Sequence, residues 1–353
     1  MFNAEPMPDP EEFFAKIGQS KYFTKVDLCK GYWQIPMRDE DKDLTSFVTP
    51  DGLIRFKVMP FGLSNAAATF NRMMRVLLRD LKDTDSFIDD ILIHSVTWEE
   101  HLLSLRCLLE RLRSANLNAK PSKCFVGFRS LDFLGHSVGN GVMRPNDDKL
   151  EAIKNAPRPE TKKQVRSFLG LIGYYRKFVP NFAVVACPLT DLTKKGIPNK
   201  VEWREEHERS FNNLKSLLLY APILRLPDFT KDFYLRTDAS DYGIGAVLLQ
   251  MHEKLFPIAY ASRKLNDQER AYSVIEKECL GIVWAVRKFQ AYLYGRTFIL
   301  QTDHQPLVYL NRSKVSNGRL MRWAIFLQSY NFVVQAIKGV DNIGADLLSR
   351  HVL

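Results

Sequence analysis

Cysteine is sparse: five residues in 353, Cys29, Cys107, Cys124, Cys187 and Cys279, never closer than 17 positions and with no CxxC pair. That spacing excludes a disulfide framework and a zinc ribbon and leaves reduced, packed thiols. No run of about 18 apolar residues occurs, and the first ten residues are acidic and proline-rich, so neither a transmembrane helix nor a secretory signal fits. There is no internal repeat and no low-complexity tract. With 46% apolar and 25% charged residues, intrinsic disorder and collagen-like structure are also excluded. The expectation is a folded, multidomain protein with no membrane partner, working in the cytoplasm or the nucleus.

What is present is an uneven excess of positive charge. Fifty Lys and Arg against forty Asp and Glu give +10. Residues 139–200 hold twelve basic and five acidic side chains, so that stretch alone carries +7. A polyanionic partner explains such an excess through counterion release; a solvated lysine-rich face explains it equally well.

Pattern changes divide the chain into three. Residues 1–138 alternate short apolar runs (Phe23 to Leu28, Phe56 to Met59, Phe87 to Ile93) with an amphipathic helix from Trp98 to Asn116, an α+β pattern. Residues 139–230 read as mostly helical. Thr161 and Gln164 form a capping box ahead of Val165, Phe168, Leu169, Ile172 and Tyr175 at helical spacing, and Lys162, Lys163, Arg166, Arg176 and Lys177 fall off that stripe. Residues 231–353 carry strands at Phe233–Thr237, Gly245–Leu249 and Phe256–Ser262 and a helix opened by Ser273 with Glu276. A strand at Thr297–Thr302, helices near Gln305 and Arg319, a strand at Phe332–Ile337 and a last helix follow. That order fits a mixed sheet covered by helices.

Two clusters of acids stand out. Asp89 and Asp90 interrupt an apolar, strand-like run, which places a turn there, and adjacent carboxylates repel unless something positive lies between them. Asp27 ends a neighbouring apolar strand and supplies a third acid. Three carboxylates suit Mg²⁺, and a pair of such ions stabilises both the attacking and leaving oxygens of an in-line displacement at phosphorus. A solvated acidic turn beside an unrelated strand-end Asp is the plain alternative.

Val-Asp-Leu-Cys-Lys-Gly-Tyr-Trp-Gln-Ile (26–35), Met-Pro-Phe-Gly-Leu-Ser-Asn-Ala-Ala-Ala-Thr-Phe (59–70), Phe-Ile-Asp-Asp (87–90) and Phe-Leu-Gly-His (133–136) resemble, in order, the motifs of gypsy-type LTR-retrotransposon reverse transcriptases. The resemblance implies a right-hand polymerase palm and thumb followed by a ribonuclease H-like α/β domain. It assigns Asp27, Asp89 and Asp90 to two Mg²⁺ ions, with Mn²⁺ as a substitute. Tyr32 becomes the steric gate under the incoming sugar, with Phe61 and Gly62 beside the nucleotide and Leu134 and Gly135 near the primer end. Lys162, Lys163 and Arg166 become phosphate contacts, which position a duplex without reading its sequence. The implied partners are an RNA template, a DNA primer, an RNA/DNA hybrid and dNTPs. A homodimer is left open.

The second cluster is Asp238 at a strand end, Glu278 in the first turns of a helix, Asp303 after another strand and Asp346 in the last helix. Alone, each reads as a cap or a solvated acid. Thr-Asp-Ala-Ser (237–240), Glu-Lys-Glu (276–278), Thr-Asp-His-Gln-Pro-Leu (302–307) and Asn-Ile-Gly-Ala-Asp-Leu-Leu-Ser-Arg (342–350) resemble the ribonuclease H domain of the same polyproteins, which implies two-metal hydrolysis of the RNA strand of a hybrid. Glu276 serves the capping box, and Glu278, about 200° away around the helix, is the expected ligand. His304 reads as a loop histidine, since it points away from its neighbour Asp303.

Against the family pattern, Asp27 stands only 26 residues from Met1, with Lys16, Lys21 and Lys25 the sole candidates to grip a triphosphate. Ala67 replaces a usual proline and Phe87 a usual tyrosine. The expectation is therefore an RNA-directed DNA polymerase joined to ribonuclease H and lacking most of the fingers. The alternative is a transposon remnant that binds nucleic acid and cleaves hybrids at most.

Overall fold

The computed structural model describes residues 5, 7–221, 223–302 and 318–337. It divides into two compact units, 1–134 with 138–141 and 135–137 with 142–353, so the stretch expected to form a thumb and connection shares a unit with the expected nuclease. Among the described residues no helix is long and apolar enough to cross a membrane.

The first unit is built on an antiparallel sheet. Its strands are β1 (Tyr22–Asp27), β2 (Thr84–Phe87), β3 (Asp90–Ser95) and β4 (Phe125–Phe128), in the order β2-β3-β1-β4. Alternation along β1 and β3 sends Val26, Ile91 and Ile93 inward to meet Phe70 and Met74 of helix α1 (Ala66–Leu78) and Leu108 and Leu112 of helix α2 (Trp98–Ser114). Thr97 caps α2 in a reciprocal box with Glu100. The apolar run Phe56–Met59 forms no strand; only a bridge joins Val58 to Pro36, and prolines at 36 and 60 remove the donors a ladder needs.

Beneath the sheet, His101 is fully buried, its Nε2 2.7 Å from Thr24 Oγ1 and its Nδ1 3.3 Å from Ser95 Oγ. Burial, then the neighbouring His94, holds its pKa below the ordinary histidine value, and burial does the same to His207. Unfolded histidines take up protons below about pH 6.5 while these stay neutral in the fold, so the unfolded chain binds more protons and stability falls as pH drops through that range. Urea midpoints measured between pH 7.5 and 5.5 are expected to decline; a flat or rising midpoint would contradict the burial argument.

Gly139 is a packing requirement of a different kind. A Cβ there would lie 2.4 Å from Ser130 Cβ and 2.5 Å from the Arg129 carbonyl oxygen. Gly139→Ala is expected to destabilise the protein by about 1–3 kcal/mol, read as a lowered urea midpoint at unchanged slope.

In the second unit, a strand pair β5 (Val142–Pro145) and β6 (Leu224–Arg225) brackets the helices α3 (Lys162–Tyr174) and α4 (Glu205–Leu219). The five-stranded mixed sheet follows: β7 (Phe233–Ala239), β8 (Gly243–Met251), β9 (Leu255–Lys264), β10 (Thr297–Thr302) and β11 (Asn331–Ala336), in the order β9-β8-β7-β10-β11. β7–β8 and β8–β9 are antiparallel, and β7–β10 and β10–β11 parallel. Helix α5 (Val274–Lys288) packs on it through Ile282, Ala285 and Val286, all buried, and α6 (Gly318–Leu327) follows β10 in sequence.

Candidate active sites

The first acidic cluster is assembled by strand register. Antiparallel pairing of β1 with β3 sets Asp27 directly opposite Asp90, and the ladder ends there. Because side chains alternate, Lys25 shares the face of Asp27, and as a diagonal neighbour its Nζ reaches Asp90 Oδ2 at 3.1 Å. β2 and β3 are joined by a two-residue loop, Ile88–Asp89, between the paired residues Phe87 and Asp90. Ile88 has φ +55°, a conformation that a β-branched residue rarely adopts and that hairpins normally give to glycine; it costs on the order of 1–3 kcal/mol. The strained loop presents Asp89 to solvent, and its carbonyl oxygen lies 3.4 Å from the Leu28 amide.

Gly31 leaves the space for this. A Cβ on Gly31 would sit 3.0 Å from the Phe70 ring and 3.3 Å from Asp89 Cβ. Tyr32 follows, its ring packed 5.5 Å from Phe61 and 5.3 Å from Phe70, and its hydroxyl pKa raised by burial and then by the Asp89 carboxylate. Phe61 is exposed, and Gly62 at φ +93° has open space where a side chain would stand.

The electrostatics favour a cation. Burial, first, pushes the Asp90 carboxyl up, with Asp89 and Asp27 adding to it and Lys25 opposing it. Lys123 Nζ lies 3.4 Å from Asp27 Oδ2. Two of the three carboxylates thus carry a lysine, and all three offer the hard oxygen donors that a divalent ion takes. Among the described residues no three His, Cys, Asp or Glu side chains are close enough to hold an ion as they stand.

The second cluster is partly within the described residues. Asp238 lies one residue before the end of β7, not at it, and is 2% exposed; Glu278 on α5 is 4% exposed. Helix and strand meet through Gly281, where a Cβ would be 3.9 Å from the Asp238 carbonyl oxygen. Glu278 precedes Gly281 by three residues and so shares its helix face. The buried Cys279 thiol is pushed up to about 12, by burial first and then by Glu278 and Glu276. Both Glu276 oxygens are engaged: one accepts from the Ser273 amide at 3.0 Å, the other from Arg319 at 2.7 Å. Asp303, Asp346 and His304 lie outside the described residues.

Residues 2–138 match the model of the family described as reverse transcriptase (RNA-dependent DNA polymerase), and residues 228–330 that of the RNase H-like domain found in reverse transcriptase. The chain thus carries a reverse transcriptase domain followed by an RNase H-like domain of the kind found in reverse transcriptases. It is 44% identical over 348 residues to the Pol polyprotein from transposon 297 of Drosophila melanogaster, covering 98% of this chain and 32% of that protein. It is 35% identical over 358 residues to the transposon Tf2-3 polyprotein of Schizosaccharomyces pombe, covering 99% and 27%. The chain therefore spans about a third of the curated relatives it matches. Two solved structures share its fold at 23% identity. A foamy viral protease-reverse transcriptase in complex with dsDNA has a TM-score of 0.84 and covers 96% of this chain and 72% of that one. The same kind of enzyme with an RNA/DNA hybrid has 0.82 and covers 99% and 48%.

Leu134 and Gly135 take consecutive left-handed conformations, φ +46° and +71°, and the Gly135 carbonyl accepts from the Tyr175 hydroxyl at 2.7 Å. Lys162 Nζ donates to the Lys194 and Ile197 carbonyls at 2.7 Å each, and Arg166 donates to the Thr193 carbonyl at 3.2 Å. Those two side chains brace the 193–197 turn, whereas Lys163 is exposed on the outer face of α3. Lys16 and Lys25, candidates to grip a triphosphate, are paired with Asp85 (2.5 Å) and Asp90. Lys25 beside Asp90 was foreshadowed by its two-residue spacing from Asp27; Lys123, 96 residues away from Asp27, had no local signal.

Proposed function

We propose that this chain is the polymerase and ribonuclease H portion of an LTR-retrotransposon Pol protein. It extends a DNA primer on an RNA template and hydrolyses the RNA of the resulting hybrid, at two sites that each use two Mg²⁺ ions. The observation that carries the reading is the register of Asp27 against Asp90, with Asp89 held beside them on the strained Ile88 loop. When bound, the ions stabilise the attacking and leaving oxygens at phosphorus.

The chain's own residues do the rest. Asp27, Asp89 and Asp90 supply the ligands of the first site, and Asp238, Glu278, Asp303 and Asp346 those of the second. Lys25 holds Asp90 in place. Tyr32, backed by Phe61 and Phe70, fills the space under the incoming sugar and disfavours a 2′-hydroxyl, with Gly62 giving the nucleotide room. Leu134 and Gly135 support the primer end, and Lys163 contacts backbone phosphate. In extension, the primer 3′-oxygen attacks the α-phosphorus of a dNTP and pyrophosphate leaves. In hydrolysis, water attacks the scissile phosphorus and a 3′-hydroxyl leaves. We assign 1–138 to the palm, 139–230 to thumb and connection, and 231–353 to the nuclease.

Primer extension and hybrid cleavage, measured on the same preparation with and without Mg²⁺, test this. Both activities are expected and both depend on the ion. A chain that shifts primer-template in a gel yet neither extends nor cleaves is the remnant reading, and it would end this one.

A further inference from the structure

Asp27 is the last residue of β1, and Tyr32 lies in the 3₁₀ turn Gly31–Gln34; residues 28–30 join them. On the polymerase reading, one end of that loop holds an ion at the reacting phosphorus and the other lies under the sugar. A sugar and its 5′-phosphates belong to one molecule, so the phosphates run alongside the loop. Lys30 is the only cation within it.

The backbone around Lys30 is tied on both sides. The Cys29 amide donates to the Asn118 carbonyl at 2.8 Å, and Gln34 Nε2 donates to the carbonyls of Cys29 (2.8 Å) and Asn118 (2.9 Å) while its Oε1 accepts from the Asn118 amide at 2.6 Å. The Lys30 carbonyl accepts from the Trp33 amide at 2.8 Å. Between these ties Lys30 takes φ +52° and ψ +50°, a left-handed conformation that any residue with a Cβ resists. Such a residue persists only where its surroundings over-determine it, and such residues gather at functional sites. The conformation sets the ammonium 4.7 Å from the centre of the exposed Trp33 ring, which packs 6.1 Å from the exposed Phe61. A cation–π contact holds the charge in place without neutralising it.

Other lysines around the site are committed or distant. Lys16 pairs with Asp85, Lys25 with Asp90 and Lys123 with Asp27. Lys21 stands six residues before Asp27, roughly 20 Å away at the rise of a strand. Lys30 is exposed and, among the described residues, pairs with no carboxylate. The acids nearest to it in the fold, Asp27 and Asp89, are the ion ligands of the polymerase reading and are neutralised by what they bind. Lys120, exposed and joined by its amide to the Asp27 carbonyl at 2.8 Å, is the rival cation, but it lies outside the loop. We propose that Lys30 grips the triphosphate of the incoming nucleotide, its ammonium donating charge-assisted hydrogen bonds to the terminal phosphates. The assignment rests on the polymerase reading of the first acidic cluster and adds the cation that holds the substrate there.

Binding without chemistry tests it. The full chain is loaded with an RNA template and a DNA primer ending in a dideoxynucleotide, so that no bond can form. The next nucleotide is titrated with Mg²⁺ as dATP, dADP and dAMP opposite a template U, and binding is read from the fluorescence of a neighbouring template 2-aminopurine. Lys30→Met is expected to weaken dATP binding about tenfold or more and dAMP binding no more than about twofold, at an unchanged melting temperature. Lys30→Arg keeps the charge and should stay within about threefold of the parent, and Lys120→Met should bind as the parent does. Four results would overturn the proposal: no nucleotide binding by the parent, parental dATP binding by Lys30→Met, a loss shared equally by dAMP, or a loss carried by Lys120→Met instead. Extension of an ordinary primer is measured on the parent alongside. Binding that depends on Lys30 without extension would uphold the grip and end the polymerase reading; extension indifferent to Lys30 would do the reverse.

Discussion

Asp89→Asn is expected to lower nucleotide incorporation by about a thousandfold or more, roughly 4 kcal/mol of transition-state stabilisation, while hybrid cleavage stays within about twofold of the parent. The contrast rests on where the residue sits. Asp89 is exposed on a two-residue loop, so its carboxylate contributes nothing to the core, and asparagine suits a turn as well as aspartate does. The substitution also removes one of the like charges that push the Asp90 carboxyl up. Stability is therefore expected to change by no more than about 0.5 kcal/mol. Single-turnover extension on an RNA template, with the urea midpoint measured alongside, separates lost chemistry from lost fold. Extension at the parental rate would remove Asp89 from the site, and a collapse of both activities together would show that the loop is structural.

Local signals in the sequence were read correctly where one element suffices to produce them. The boxes Thr161/Gln164 and Ser273/Glu276 open α3 and α5 as their four-residue patterns require, because a cap is satisfied within its own turn. The turn near Asp89 was legible, but its register was not. Placing it on the two acids follows from strand propensity, whereas the loop is Ile88–Asp89, and an isoleucine at φ +55° is a choice that local preference argues against. Residues 142–145, read as part of a mostly helical stretch, form β5, which pairs Met143 with Leu224 from 81 residues away. The same distance effect hid Lys123 beside Asp27 and Arg319 beside Glu276, and it converted Lys162 from an expected phosphate contact into a brace for the 193–197 turn. Periodicity reports which face is buried. It does not report which charge arrives from a distant segment.

Glu276 and Glu278 provide the sharpest test of the nuclease site, since they are two residues apart and chemically identical. Glu278 is buried on the face of α5 that meets Asp238, whereas Glu276 caps the helix and pairs with Arg319. Glu278→Gln keeps the size and most of the hydrogen bonding of the side chain but removes the negative charge, and is expected to reduce cleavage of an RNA/DNA hybrid by about a thousandfold, with primer extension retained. Glu276→Gln leaves the capping box intact, because glutamine at that position reaches back equally well, and loses only the ion pair to a partly exposed arginine. Its expected cost is on the order of 0.5 kcal/mol, with cleavage within about threefold of the parent. Cleavage rates on one labelled hybrid, with primer extension as the internal control for folding, distinguish the two. If Glu276→Gln abolishes cleavage while Glu278→Gln spares it, the ligand is the capping acid, and the face of α5 that meets β7 is packing alone.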